Sequence, residues 1–342
     1  MKKIVTTVMS LLMLFLLSCG GSEASFVFDE DVETRFVTDA FGEVEVPADP
    51  QRIVVVDEGT MSDLLALGVT PIAVHDWGRR DFTLFLNIDP EEIQSVGSSS
   101  GPNYEAILGL QPDLIISREE HISFLSGRER QRLEAIAPTV FSPAQSVDWQ
   151  GHLTFIGEVV NKQDEAAEII EIYDARLAEF STAWAESGND QTIGIVRSRE
   201  GGLQIYAKES FISDTVTSAG LIFPEAYVEL PRRNSISLEE IDTLDSDYLF
   251  FMVRNEDEAK AFVEASESPL WGFLPAVQNE QAYQVNWSVW VAGWNAVGAQ
   301  LVLDDLFFFL IGDQSSTPNP FLAELVIPEF GPEFDVARFE EE

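Results

Sequence analysis

The stretch Asn103-Tyr-Glu-Ala-Ile-Leu-Gly-Leu-Gln-Pro-Asp-Leu-Ile-Ile-Ser117 decides the fold class, because it predicts a capped helix followed directly by a buried strand. Asn103 is a favoured helix N-cap, and Pro112 ends the helix. Leu114 to Ser117 is apolar enough for a buried strand. A similar stretch occurs later as Ser237-Leu-Glu-Glu-Ile-Asp-Thr-Leu-Asp-Ser-Asp-Tyr-Leu-Phe-Phe251. The chain is therefore expected to contain the same helix–strand unit twice.

The two stretches align without a gap. The two caps, Asn103 and Ser237, are in register. So are four identical pairs: Glu105 with Glu239, Ile107 with Ile241, Leu110 with Leu244, and Asp113 with Asp247. Ser237 and Glu240 also have the spacing of a capping box. Any α/β protein contains capped helices followed by strands, which is the alternative explanation. Four identities in one frame favour two similar lobes, each with one glutamate near the start of its helix.

The N-terminus has the features of an export signal. Lys2 and Lys3 precede an apolar run from Val8 to Leu17, which is too short for an anchored membrane span. Leu16-Leu17-Ser18-Cys19 resembles a bacterial lipoprotein cleavage site, so Cys19 is the predicted lipidation site. The alternative is a plain signal peptide with an incidental cysteine. Cys19 is the single cysteine of the chain, which excludes an internal disulfide.

The chain is strongly acidic, with a formal net charge of −39. Nucleic acid is excluded as a partner, since phosphate binding requires clustered basic charge. Self-repulsion of this size destabilises a compact state and is relieved by salt. A saline habitat is the favoured explanation, and a store of cations is the alternative.

One helix is expected to be much longer than the others. Its apolar stripe consists of Ala166, Ile170, Tyr173, Leu177, Phe180 and Trp184. The spacing of this stripe is helical and no breaker interrupts it. Such a helix is long enough to bridge two lobes, and its stiffness favours small lobe movements over wide hinge closure.

Strands and helices alternate on both sides of the long helix, which is typical of an α/β fold with mainly parallel sheets. We therefore predict two lobes, each with a central mainly parallel sheet flanked by helices, joined by one long rigid helix. The expected segments are a signal peptide (1–18), an acidic tether (19–35), a first lobe (36–162), the long helix (163–187), a second lobe (188–314) and an acidic tail (315–342).

Ligands of open α/β sheets bind outside the carboxyl ends of the strands. The loops expected there are rich in arginine and tryptophan, in a chain with few basic residues. The candidate ligand-binding residues are Trp77, Arg79, Arg118, Arg197, Arg199, Arg233, Trp287 and Trp290. Guanidinium groups bind oxyanions and indole rings provide large apolar faces. The pattern predicts a bulky, anionic or oxygen-rich ligand, although single arginines of this set could instead pair with surface carboxylates.

Catalytic signatures do not occur in the sequence. It has no Gly-x-Ser-x-Gly motif, no phosphate loop and no catalytic cysteine. His75, His121 and His152 are isolated, which disfavours a bare metal site. We therefore expect a protein that is not an enzyme and has no cofactor, and a metal would arrive already chelated.

Several motifs resemble one known family. They are Thr38-Asp39-Ala40-Phe41-Gly42, Val46-Pro47-Ala48-Asp49-Pro50-Gln51-Arg52-Ile53-Val54, Leu64-Leu65-Ala66-Leu67-Gly68-Val69, Asn103 to Ile116, Ala135-Ile136-Ala137-Pro138-Thr139 and Ile236-Ser237-Leu238-Glu239. They are similar to motifs of the iron-siderophore and cobalamin substrate-binding proteins of ABC importers, over roughly residues 36 to 312. The resemblance implies a monomer with a ligand cleft between two lobes.

The same resemblance implies partners and roles. Glu105 and Glu239 would dock on a permease dimer that works with an ATPase. Arg197 matches a position that often contacts an anionic siderophore, and Trp290 matches one where an aromatic ring often faces the ligand. Asp63 stands where the family pattern leads us to expect glutamate.

The arginine-rich cleft favours a ferric siderophore, that is, an iron(III) chelate, as the ligand. Cobalamin or haem is the alternative, and a third possibility is an envelope scaffold lipoprotein without a transport role. The expected location is the outer face of the cytoplasmic membrane, by a lipid anchor, or the periplasm.

Overall fold

The computed structural model of the protein describes residues 32–76, 85–120, 128–145, 147–187, 190–228, 230, 233–323 and 325–326. The strands are β1 (Thr34–Asp39), β2 (Gly42–Pro47), β3 (Ile53–Val55), β4 (Ala73–Val74), β5 (Phe85–Leu86), β6 (Gln94–Ser95), β7 (Gly97–Ser98), β8 (Gly101–Pro102), β9 (Leu114–Arg118), β10 (Thr139–Ser142), β11 (Ile193–Arg199), β12 (Gly202–Tyr206), β13 (Arg233–Ile236), β14 (Tyr248–Met252), β15 (Ala282–Gln284) and β16 (Leu325–Val326).

The α-helices are α1 (Glu58–Ala66), α2 (Tyr104–Leu110), α3 (Arg128–Glu134), α4 (Trp149–Val159), α5 (Gln163–Glu186), α6 (Phe211–Ser218), α7 (Glu225–Val228), α8 (Glu256–Ser266), α9 (Pro275–Gln278), α10 (Trp287–Trp290) and α11 (Ala296–Leu306). Short 3₁₀ helices cover Pro90–Glu92, Leu238–Leu244 and Trp271–Phe273, and a π-helix covers Phe307–Ile311.

The first lobe is built on a parallel five-stranded sheet in the order β10-β9-β3-β4-β6. Strands β3, β9 and β10 are short and fully buried, as is typical of parallel sheets, whereas the edge strand β6 is exposed. On one face, Val54 and Ile115 pack in a cluster with Ile107 of α2 and Leu133 of α3. Helices α1, α4 and α11 cover the other face.

A hairpin around Phe41 and Gly42 is tied to the first sheet. Strands β1 and β2 pair antiparallel. One carboxylate oxygen of Asp39 accepts hydrogen bonds from the N–H groups of Phe41 (2.7 Å) and Gly42 (3.0 Å). The other accepts from the N–H of Phe141 on β10 (3.0 Å), so a single buried carboxylate closes the turn and docks the hairpin.

The long helix is confirmed as α5, which has 24 residues and spans about 36 Å. Its buried stripe differs from the predicted one at two positions, with Ile169 in place of Ile170 and Arg176 in place of Leu177. The Arg176 guanidinium forms an ion pair with Asp304 and donates to the backbone oxygens of Gln300 (3.2 Å) and Thr317 (3.2 Å). Since these partners satisfy its charge, the arginine can occupy a core position and tie α5 to α11.

The second lobe is built on a five-stranded sheet in the order β13-β12-β11-β14-β15. Strands β11, β14 and β15 are parallel, whereas β12 and β13 run antiparallel to their neighbours. The predicted α/β class with two lobes is confirmed, with a mixed sheet in the second lobe. The reason is local: the Glu200–Gly201 turn, with Gly201 at φ 80°, folds β12 directly back on β11 as a hairpin.

The two copies of the capped stretch share their caps and differ in helix type. Asn103 accepts a hydrogen bond from the N–H of Ala106 (3.1 Å) and begins α2. The Glu240 carboxylate accepts from the N–H (3.0 Å) and the hydroxyl (2.8 Å) of Ser237, which confirms the contact expected of the capping-box glutamate. The helix that follows Ser237 is nevertheless 3₁₀, with non-helical dihedral angles at Glu240.

The apolar segment 296–311 forms two kinds of helix. The α-helical part, α11, ends at Leu306 and a π-helical turn continues to Ile311, where Gly312 at φ 75° ends it. Helix α11 packs against α1, α4 and α5 as well as α10. The last helix of the predicted second lobe therefore completes the core of the first.

Candidate ligand-binding site

A buried polar cluster lies at the carboxyl ends of β3 and β9. The Arg118 guanidinium is 3.5 Å from an Asp57 carboxylate oxygen and 3.9 Å from one of Asp63. It also donates to the backbone oxygen of Trp294 (3.3 Å). Arg118 is 2% exposed, because protein atoms already cover it. Arg118, which the sequence predicts as a ligand contact, fixes the segment before α11 against the first lobe.

Asp63 makes a second contact with the same segment. Its Oδ1 accepts a hydrogen bond from the N–H of Ala296, the first residue of α11 (3.0 Å). Burial raises the pKa of Asp63 to about 7, although the neighbouring Arg118 charge and the Ala296 hydrogen bond oppose the increase. The residue at which the sequence departs from the family pattern is thus a cap for a helix remote in sequence.

His152 extends the cluster through hydroxyl groups. The Thr60 hydroxyl donates to Asp57 (2.6 Å) and lies 2.9 Å from His152 Nε2. Because that hydroxyl proton is engaged, Nε2 carries a proton and donates it to Thr60. His152 Nδ1 lies 2.8 Å from the Ser142 hydroxyl. His152 is therefore a satisfied core residue that joins α4 to α1 and β10.

Gly59 permits the close packing at this cluster. A Cβ atom there would lie 3.1 Å from Arg118 Nη2 and 3.2 Å from the Trp294 ring. The indole of Trp294 therefore packs directly on the first turn of α1.

A second cluster lies in the other lobe, where β11, β14 and β15 end. The Arg197 guanidinium donates two hydrogen bonds to the Glu258 carboxylate, at 2.9 and 2.5 Å. Burial by itself lowers the pKa of Arg197, but the Glu258 carboxylate outweighs it and the pKa is raised. Glu258 also accepts a hydrogen bond from the N–H of Arg254 (2.9 Å). The pair is bidentate and almost fully buried.

Trp287 lies between the two arginines of this cluster. The guanidinium carbons of Arg197 and Arg254 are 5.0 and 5.2 Å from the centroids of its rings, within cation–π range. Arg254 is half-buried, whereas Arg197 is buried. Arg254 is not among the residues predicted from the sequence. It nevertheless follows β14 and so satisfies the strand-end rule that selected the other arginines.

The remaining predicted residues fall into three groups. Trp290 has no exposed surface: its Nε1 donates to Asp305 (2.6 Å) and its ring packs on Phe250 (centroids 4.7 Å apart). Trp290, which the sequence predicts to face the ligand, is held in the core by the Asp305 carboxylate. Arg199 is exposed at the end of β11. Arg233 lies on the edge strand β13, opposite Tyr206, but its side chain is outside the described part of the structure.

Trp77, Arg79 and Cys19 lie outside the described residues. Glu105 and Glu239 are exposed at the starts of their helices, as expected. Among the residues that the structure describes, no group of three or more His, Cys, Asp or Glu side chains is placed to hold a metal ion. None of the described helices has both the length and the apolarity needed to cross a membrane.

Two α/β lobes joined by a long helix, with cationic and aromatic side chains at the strand ends, define a ligand-binding protein of the two-lobe class. The chain belongs to the periplasmic binding protein family, whose model it matches over residues 53–286.

Three similar proteins illustrate the relationship. A Bacillus subtilis protein described as a probable siderophore-binding lipoprotein is 34% identical over 326 residues, which cover 90% of this chain and 98% of that protein. The siderophore periplasmic binding protein of the Thermobifida fusca fuscachelin gene cluster is 29% identical, with a TM-score of 0.64 over 78% of this chain and 99% of its own. Staphylococcus aureus SirA in complex with staphyloferrin B shares the fold, with a TM-score of 0.70, 24% identity and coverage of 81% and 99%.

Proposed function

We propose that this protein is the extracytoplasmic substrate-binding component of an ABC importer and that it captures a ferric siderophore between its lobes. The observation that carries the proposal is the 34% identity, over nearly the whole of both chains, to a relative described as siderophore-binding. The Thermobifida fusca structure, whose name also specifies a siderophore, supports the same ligand class.

The second-lobe cluster supports an anionic ligand. Arg254 and the face of Trp287 lie together at the carboxyl ends of the strands, where ligands of α/β sheets bind. The chelating groups of siderophores are oxygen donors and many carry negative charge, which guanidinium groups recognise. Iron enters as part of this substrate, so the protein needs no resident cofactor and performs no catalysis.

The location proposed is the outer face of a membrane. Cys19 would carry the lipid, and more than one acyl chain makes such an anchor stable. Cys19→Ala is expected to release the protein from the membrane or to leave its signal uncleaved. Mature wild-type protein recovered entirely without lipid would contradict the anchor.

The proposed partner is a permease dimer with its ATPase. Glu105 and Glu239 are exposed on different lobes, and α5 holds the lobes at a fixed span. Each carboxylate would pair with a guanidinium group of one permease subunit. Glu105→Ala and Glu239→Ala are expected to reduce uptake and to leave the affinity for the chelate unchanged.

One titration tests the ligand. Intrinsic tryptophan fluorescence is followed while ferric citrate, a ferric hydroxamate, a ferric catecholate, haem or cobalamin is added. A saturable change with a ferric chelate, and none with haem or cobalamin, is the expected result. Saturable binding of haem or cobalamin alone would replace the proposed ligand, and no binding of any member of the panel would refute it.

A further inference from the structure

An open groove of about 530 Å³ lies beside Glu105, on the face of the first sheet that α2 and α3 cover. One wall is formed by Tyr104 and Leu108 of α2, and the opposite wall by Arg132 and Ile136. Glu105 stands at its rim. No part of the buried polar clusters described above belongs to this groove.

The groove is mostly apolar and its most exposed wall is a leucine. Leu108 is 58% exposed, which is unusual for a large aliphatic side chain. It lies three residues after Glu105, so the two side chains share one face of α2. The Arg132 guanidinium lies 5.1 Å from the centroid of the Tyr104 ring, which holds both walls in place.

The second lobe repeats this combination of an exposed acid and an exposed apolar side chain. Glu239 lies on the 3₁₀ helix Leu238–Leu244, which packs against the 3₁₀ helix Trp271–Phe273. Phe273 of that second helix is 73% exposed. Each lobe therefore exposes a large apolar side chain, either on the helix that carries its predicted docking glutamate or on a helix packed against that one.

We propose that the groove receives a large apolar side chain of the permease, from a segment that also carries the basic group paired with Glu105. This inference rests on the proposed docking of Glu105. An exposed ion pair contributes little to binding while water surrounds it, and apolar contacts around it exclude that water. Leu108 and the groove would supply those contacts on one side of the pair.

The charge of the protein favours this occupant over others. A second copy of the chain would bring another net charge of −39 to a surface that already carries Glu105. The acidic C-terminal segment of the same chain is repelled for the same reason. A basic segment complements this surface if an apolar residue lies beside its arginine or lysine. The basic group pairs with the Glu105 carboxylate and the apolar side chain fits the groove.

The test compares two leucines that differ in position. Leu108 and Leu322 are both 58% exposed, and Leu322 follows Phe321, which packs in the core on the opposite face of the first sheet. In the source bacterium, the chromosomal gene is replaced by one that encodes Leu108→Asp or Leu322→Asp. We then measure the uptake of radioactive iron from the ferric chelate that the titration identifies. Leu108→Asp is expected to reduce uptake at least tenfold, with chelate affinity and melting temperature unchanged, while Leu322→Asp behaves as wild type.

A second variant identifies the occupant directly. Leu108→Cys introduces a thiol into a chain whose single natural cysteine is Cys19. A short thiol-reactive crosslinker added to membranes is expected to join this position to the permease, identified by mass spectrometry. A crosslinked dimer of the protein itself would overturn the proposed occupant, as would a crosslink to its own C-terminal segment.

The outcomes separate this inference from the proposed function. Normal uptake by Leu108→Asp, together with impaired uptake by Glu105→Ala, would refute the groove and leave the docking intact. Normal uptake by both variants would refute the docking. A wild-type protein that binds no ferric chelate would refute the ligand proposal instead.

Discussion

At the residue scale, the partners of each arginine decide its role. Glu258 satisfies Arg197 with two hydrogen bonds inside the lobe. Arg254, which shares Trp287 with Arg197, is the more exposed of the two. An anionic ligand arriving at the strand ends is therefore expected to meet Arg254 first, with Arg197 and Glu258 acting as the pair that positions Trp287.

Two alanine variants distinguish these roles. Arg254→Ala removes a charge-assisted contact of about 1.5–3 kcal/mol, so affinity for the ferric chelate should fall roughly ten- to hundredfold with little loss of stability. Arg197→Ala leaves the Glu258 carboxylate buried without its partner and should reduce the free energy of unfolding by about 3–5 kcal/mol. Fluorescence titrations and urea unfolding curves measure the two effects, with the exposed Arg199→Ala as the control for stability. Equal stability of all three variants would contradict the positioning role of the Arg197–Glu258 pair.

Asp63 makes stability depend on pH in a defined direction. An acid whose pKa is higher in the folded state binds its proton more tightly there, so it favours folding at low pH. This contribution is complete below the ordinary value of 3.8 and is lost as the pH rises to about 7.

Asp63→Asn keeps an oxygen acceptor for the Ala296 N–H and cannot ionise. The variant should gain stability relative to wild type as the pH rises from 4 to 7, by at most about 4 kcal/mol, with no further change above that range. Urea unfolding of both proteins at a series of pH values provides the comparison. A constant difference across the range would show that Asp63 titrates normally.

The sequence located candidate residues better than it located their partners. The strand-end rule selected Arg118 at the end of β9, Arg197 near the end of β11 and Trp287 shortly after β15. It could not show that Glu258, on a later helix, holds Arg197, because that pairing depends on how two elements pack. The sequence likewise does not show that Trp290 is buried. Its burial depends on a hydrogen bond to Asp305, a carboxylate in an otherwise apolar helix.

At the element scale, the first turn of α11 packs against the segment that follows α10 through two glycines. A Cβ atom on Gly298 would lie 1.9 Å from the backbone oxygen of Gly293, and neither backbone can move without breaking the helix start. Gly298→Ala should therefore destabilise the protein by about 3 kcal/mol or more, at or above the upper end of the range for overpacking. Gly109→Ala in α2 is the matched control, since its Cβ would meet nothing within 4 Å. Gly109→Ala should leave the free energy of unfolding unchanged or raise it by up to about 1 kcal/mol. Thermal melting of the two variants distinguishes these effects.

Regular periodicity is what made some elements predictable. The helix α5 follows a local repeat over many residues, so its existence followed from the sequence. The 3₁₀ geometry after Ser237 and the π-helical turn from Phe307 did not, because the same residues fit an α-helix equally well. Arg176 entered the stripe of α5 because Asp304, on a distant helix, satisfies it.

At the scale of the whole molecule, the net charge of −39 predicts a stability that depends on salt. Raising the salt concentration from about 0.1 to 1 M shortens the Debye length from about 10 to 3 Å and reduces repulsion between surface carboxylates. We expect the melting temperature to rise by several degrees over this range in potassium chloride. An uncharged osmolyte at matched osmolality is the control, and a rise of equal size in the osmolyte would refute the electrostatic cause.

The hydrogen bond from Ala296 to Asp63 joins residues 233 positions apart, and this affects the order of folding as the chain is synthesised. The first lobe is delivered early, but α11 covers part of its core and reaches it only when the chain is almost complete. Contacts of such long range are slow to form, since the intervening loop must close first. The early part of the chain is therefore expected to finish folding only after α11 has been synthesised. Such a delay would keep the chain unfolded for the export proposed above.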